Sequence, residues 1–248
     1  MIKTIQLLCV IFFTNNIIAQ GPTFIKIPEG TFNMGSDSGR TNEIPKHEIS
    51  LTKFSISQTE ITVAQYRIFC EETNKDMPES PKWGWIDNHP IVNVSWDDAI
   101  GYCNWLGGKI KKDVKLPTEA QWEYVATGTR KRKKYIYSGG KKIESIGWTK
   151  VDDDSSSSHP VGTKKPNRLD VYDMSGNVWE WCMDWYSEDY YAQSLFVNPE
   201  NTHLGQKKDR VARGGSWQSK ANTCTVTHRI NYKPTSRYVD RGFRVVIN

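Results

Sequence analysis

Three stretches of this chain combine a helix-start signal with apolar residues at helical spacing, and that scarcity most limits the folds open to it. Thr62-Val63-Ala64-Gln65 and Thr118-Glu119-Ala120-Gln121 have the Thr-x-x-Gln form, in which a hydroxyl and an amide serve the unpaired N–H groups of a first turn. The first predicts a helix from Val63 to about Thr73, and the other predicts one stopped near Gly128. Between them Ser95 can cap a helix in which Ala99, Tyr102, Cys103 and Leu106 recur at three- and four-residue intervals. The pair Gly107-Gly108 is predicted to end it. Elsewhere Gly, Pro, Asn and Ser separate short apolar runs such as Phe243-Arg244-Val245-Val246-Ile247, which read as strands. Few helices and many loops are therefore expected, with no internal repeat and no linker long enough to divide the chain.

Residues 1–19 read as a secretory signal. Lys3 is the positive start, Ile5 to Phe13 is mostly apolar, and Ile17-Ile18-Ala19 offers a cleavage site before Gln20. Cys9 lies inside the apolar run, which argues against a lipid-anchored cysteine. The run falls far short of the roughly 20 residues of a membrane span. The expectation is an exported protein, periplasmic or secreted, with no membrane span and one domain over residues 20–248. Ten tryptophans and eleven tyrosines provide large apolar bodies whose polar tips need partners. A net charge of +5 is too small an excess to argue for nucleic acid.

Cys70, Cys103, Cys182 and Cys224 remain after the leader and allow three full disulfide pairings. No C-x-x-C spacing supports zinc-ribbon or thioredoxin chemistry. Cys103, on an apolar helical stripe, and Cys70, among helical neighbours, read as inert buried thiols. His47, His89, His159, His203 and His228 show no metal-ligand spacing. The basic run Arg130-Lys131-Arg132-Lys133-Lys134 reads as a solvated loop, with contact to anionic glycans as the alternative. Arg213, Arg229, Arg241 and Arg244 read as anchors of the C-terminal loops through carboxylate pairs, the alternative being to hold a substrate anion.

The richest blocks are Tyr172-Asp173-Met174-Ser175-Gly176-Asn177-Val178-Trp179-Glu180-Trp181 and the segment from Arg213-Gly214-Gly215-Ser216-Trp217 to Arg241-Gly242-Phe243-Arg244. Two carboxylates in a tight loop suit a hard cation; in the other reading Glu180 pairs with an arginine while Trp179 and Trp181 fill core. Asp152, in a run of three acids followed by serines, is a further potential ligand or part of a solvated loop. Gly214-Gly215-Ser216-Trp217 is not a nucleophile elbow, because Gln218 takes the place of the closing glycine.

Together with Ile27–Ser36, Pro45–Leu51, Glu60–Tyr66, Pro90–Trp96, Leu116–Tyr124 and His159–Gly162, in that order, these blocks resemble the formylglycine-generating enzyme family, or sulfatase-modifying factors. The resemblance implies an α+β, C-type-lectin-like fold with few helices, short strands and much irregular structure. It implies a structural calcium ion held by Asp173, Gly176, Val178 and Glu180, and a pocket role for Ser216. In the family's oxidases two cysteines five residues apart bind copper; here Ser219 stands at the first position and Cys224 at the second. The cysteines of the disulfide-forming branch are replaced by Ala126 and Val245. Cu(I) prefers paired thiolates and a neutral hydroxyl is a poor ligand, so copper is not expected. Cys224 is then left to pair with Cys182 in an oxidising compartment. The implied role is in formylglycine maturation of exported sulfatases, with a sulfatase polypeptide or a cell-surface protein as partner and with the missing thiol arguing against catalysis by this chain. The alternative is a non-catalytic lectin-like binding or scaffold protein.

Overall fold

The computed structural model describes residues 21–128, 135–150, 156–204 and 208–248. The leader, Asp152 and the basic run 130–134 lie outside the described residues.

Among the described residues three α-helices form where the capping signals place them: α1 (Val63–Thr73), α2 (Trp96–Ile110) and α3 (Glu119–Thr127). Each begins with a reciprocal capping box, Thr62 with Gln65, Ser95 with Asp98 and Thr118 with Gln121, so the orphan N–H groups of every first turn are served locally. Helix α3 stops at Gly128 as expected. Helix α2 does not stop at Gly107-Gly108 but runs to Ile110 and turns at Lys111. The N–H groups of Lys111 and Lys112 both return to the Gly107 carbonyl, and the Lys112 carbonyl lies 2.9 Å from where a Gly107 Cβ would stand. Gly107 lets the chain fold back against the helix rather than ending it.

The described strands are short: β1 (Phe24–Ile27), β2 (Gly30–Met34), β3 (His47–Leu51), β4 (Phe54–Ser57), β5 (Val114–Lys115), β6 (Trp179–Trp185), β7 (Arg210–Arg213), β8 (Arg229–Tyr232), β9 (Arg241–Gly242) and β10 (Val246–Ile247). They build a sheet in the order β1-β4-β10-β5, a β2-β3 hairpin and a sheet in the order β8-β7-β6-β9. Strand β6 pairs parallel with β9 and antiparallel with β7. The run 243–247, predicted as one strand, is strand only over β10. The three residues before it bridge the two larger sheets: the Phe243 and Val245 carbonyls accept from Ile61 and Ser57, while Arg244 turns inward.

Aromatic bodies fill the core, and three tryptophans packed there find partners for their indole N–H groups, while Trp217 Nε1 has none among the described residues. Trp122, Trp181 and Trp96 donate from Nε1 to Glu180, to the Val94 carbonyl and to the Cys182 carbonyl, respectively. Cys70 and Cys103 are buried in the cluster that α1 and α2 share with Trp181 and Phe243. Among the described residues no helix is long and apolar enough to cross a membrane.

Candidate functional site

The Gly-Gly-Ser element leaves β7 as a tight loop. Its backbone is stitched to the 173–180 loop: Gly176 N donates to the Gly214 carbonyl and Trp217 N to the Asn177 carbonyl. Ser216 is buried; its N–H donates to Ser219 Oγ at 2.9 Å, the two hydroxyls lie 3.1 Å apart, and Ser216 Oγ donates to Asp240 Oδ2 at 3.2 Å. Ser219 thus folds back on its own loop, with its hydroxyl engaged at Ser216. Cys224 is buried against Tyr137, Ile143 and Ile146, and its thiol donates to the Lys220 carbonyl at 3.7 Å. Gly215 lets this thiol approach, since a Cβ there would lie 2.3 Å from Cys224 Sγ. The pairing of Cys182 with Cys224 expected from sequence is not formed: Cys182 belongs to the cluster around Trp122 and Tyr191, Cys224 to a separate small one. One thiol and one hydrogen-bonded hydroxyl do not fit Cu(I), which takes paired soft ligands.

The 173–180 loop carries a dense set of buried charges. Arg244 forks onto Glu180, Nε to Oε2 at 2.6 Å and Nη2 to Oε1 at 2.7 Å, and Trp122 Nε1 also donates to Oε2 at 2.7 Å. Of the two open readings of Glu180, its carboxylate is in the arginine pair. Asp173 is buried with Oδ2 accepting from Gly162 N at 2.7 Å, while Oδ1 accepts nothing. Glu60, a residue outside the loop, is buried beside it with both carboxyl oxygens unpartnered. Burial, and for Glu60 the nearby Asp173 and Glu180 charges, push both carboxyls above the usual range, Asp173 to about 6. For calcium the fit is divided: Asp173 has an oxygen to give, Gly176 and Val178 contribute only main chain, and Glu180 is held by a guanidinium. Glu60 escaped sequence reasoning because an isolated acid between a strand and a capping box has no local signature of burial.

The C-terminal arginines are interior anchors, not holders of a solvent anion, for all four are buried. Arg213 reaches Glu119 at 2.9 Å and Glu123 at 2.6 Å, and Arg229 reaches Glu119 at 2.6 Å, tying β7 and β8 to α3. Arg241 departs from the carboxylate pattern: its guanidinium stacks 3.2 Å from the Tyr232 ring centre and donates to Ser236 Oγ at 2.9 Å. A cleft of about 870 Å3 lies elsewhere, lined by Phe32, Arg40, Tyr135, Asn222 and Thr227 among others, and does not include Ser216, Ser219 or Cys224.

Residues 13–248 match the family described as the sulfatase-modifying factor enzyme 1-like domain. The formylglycine-generating enzyme of Streptomyces coelicolor is 30% identical over 284 residues, covering 89% of this chain and 87% of that protein. A Paenibacillus barcinonensis protein named chaperone protein LppX is 28% identical, covering 80% of this chain and 81% of its own. Among solved structures, that of PvdO from Pseudomonas aeruginosa superposes with a TM-score of 0.80 at 24% identity, covering 92% of this chain and 94% of that one. The fold is thus the α+β, lectin-type arrangement expected from the sequence.

Proposed function

Because this chain belongs to the sulfatase-modifying factor family, we propose that it serves the formylglycine maturation of exported sulfatases without itself carrying out the copper-dependent oxidation. The observation that supports this reading is Ser219, whose hydroxyl stands where a second thiol is needed and is engaged by Ser216. In this reading the leader over residues 1–19 sends the protein to the periplasm or out of the cell, where a sulfatase polypeptide is its partner. A structural calcium ion at the 173–180 loop is part of the same proposal, supported by the unpartnered Asp173 Oδ1. The basic run 130–134 is the proposed contact for anionic glycans.

A second reading, a binding or scaffold protein of cell-surface machinery, is favoured by the likeness to a protein named as a chaperone. A sulfatase-derived peptide supplied with copper and oxygen separates these readings from catalysis. No conversion of its cysteine to formylglycine is expected, and robust conversion by the wild type, seen by mass spectrometry, overturns the loss of chemistry. Ser219→Cys is expected to raise Cu(I) affinity over the wild type by at least tenfold, a gain worth about 1.4 kcal/mol. Co-expression with an exported sulfatase divides the two remaining readings. A rise in sulfatase activity supports a part in maturation, whereas neither a complex nor a rise favours the scaffold.

A further inference from the structure

We propose that the outer edge of β2 is a docking site for an extended polypeptide segment, which would join the β2-β3 hairpin as a third strand. The inference goes beyond the maturation reading and does not depend on it. Among the described residues β2 has β3 as its only sheet neighbour. The far side of β3 shows which main-chain groups of β2 point outward. Ser50 N donates to the Phe196 carbonyl at 2.7 Å and the Ser50 carbonyl accepts from Asn198 N at 2.9 Å, so both groups of Ser50 face away from β2. Opposed residues in an antiparallel pair alternate between bonded and non-bonded. Ser50 opposite Thr31 and Glu48 opposite Asn33 are therefore non-bonded pairs, and Thr31 and Asn33 turn their N–H and C=O groups away from β3. No described main-chain or side-chain group bonds to these outward groups.

The same strand lines the cleft of about 870 Å3 through Thr31, Phe32 and Asn33, a volume within the usual range for bound ligands. Donors and acceptors that recur about every 6.8 Å along a strand are matched by another extended main chain, as in β-strand addition. Alternate side chains of the incoming segment would lie on opposite faces. One face adjoins half-buried Phe32 and suits apolar residues. The other adjoins exposed Thr31 and Asn33, with Glu48 beside Asn33 across the hairpin. Of the charges along the cleft, Arg40 pairs with Glu43, Lys46 with Asp37 and Glu123 with Arg213, whereas exposed Glu48 joins no ion pair among the described residues. Two strand spacings, about 10 Å, separate an added strand from β3, and a long basic side chain spans that gap toward Glu48. The segment that fits is thus an alternating one, apolar on one face and basic on the other.

The test uses the full chain and, as probe, an acetylated and amidated octapeptide in which valine alternates with lysine. Fluorescence anisotropy is expected to show saturable binding that weakens at least about tenfold in Asn33→Pro, whose ring removes an outward N–H that the β2-β3 ladder does not use. N-methylating the lysine amides or, separately, the valine amides of the probe should abolish binding in one set and spare it within about threefold in the other, because only alternate amides face β2. The lysine set is the sensitive one if the probe adds antiparallel, the valine set if it adds parallel. Equal loss from both sets, or none from either, overturns main-chain pairing, and this result stands even if Asn33→Pro fails to fold. Glu48→Gln is expected to weaken the probe about threefold but not a version with glutamine for lysine; no difference overturns the basic preference alone. In the free protein the amides of Thr31 and Asn33 should exchange with solvent faster than that of Phe32, which is bonded to Ile49, and should slow when the probe binds. Protection of both amides without the probe, or no binding of the probe at millimolar concentration, overturns the docking site and leaves both functional readings above standing.

Discussion

At Gly215 two demands coincide on one residue. Its φ of +80° lies in the left-handed region, and a Cβ there would stand 2.3 Å from Cys224 Sγ and 3.1 Å from the Cys224 backbone. A side chain would therefore pay the conformational cost and also push the Cys224 segment out of its cluster. Gly215→Ala is expected to destabilise the fold by roughly 2–4 kcal/mol in a urea titration. Adding Cys224→Ala removes the nearest atom but leaves both the positive φ and the crowding by the backbone of residue 224, so the double variant should recover only part of the loss. Full recovery would show that the thiol alone dictates the glycine. The positions of Ser219 and Cys224 after the Gly-Gly-Ser element were legible in the sequence. The hydrogen bond that commits Ser219 to Ser216 was not, because it depends on how the loop closes.

The same division holds at the scale of elements. Helix starts were readable because a capping box is local chemistry within four residues, and all three are present. The end of α2 was misread because Gly107 answers to a neighbouring segment of chain rather than to the helix. Strand order was beyond the sequence: β9 and β10 are two residues each and are placed by partners far away in the chain. Helix α3 illustrates what a readable cap supports. Glu119 and Glu123 hold Arg213 and Arg229, and Trp122 reaches Glu180, so the first turns of the helix meet charged partners in the interior while Ala120, Tyr124, Val125 and Ala126 pack in the apolar core. Thr118→Ala removes the hydroxyl that accepts from Gln121 N, an expected loss of about 1 kcal/mol. Thr118→Ser should restore most of it in the same titration. A loss above about 3 kcal/mol in Thr118→Ala would show that the cap also positions the buried charge lattice.

Across the whole molecule, Glu43 joins the N-terminal hairpin region to the C-terminal loops. Its carboxylate accepts from Arg40 at 2.9 Å and Thr227 Oγ1 at 2.9 Å and lies 3.3 Å from His228 Nδ1, while its carbonyl accepts from Ser36 N. Burial pushes its pKa up, but the hydrogen bonds from His228, Arg40 and Thr227 outweigh it and hold the group at about 2, against 4.5 for the free side chain. A folded-state pKa below the unfolded one contributes stability that is fully present above about pH 4.5 and is lost as pH falls through about 2. Glu43→Gln should therefore cost roughly 1–2 kcal/mol near pH 6, a figure reduced for the partly exposed Arg40 partner. The gap between wild type and variant should close progressively from pH 4.5 to 2. Other acids titrate over the same range in both proteins, so the difference between the two unfolding curves isolates Glu43. A gap that stays constant down to about pH 2 would mean that the carboxylate's charge contributes nothing and that its shape alone links the two ends of the chain.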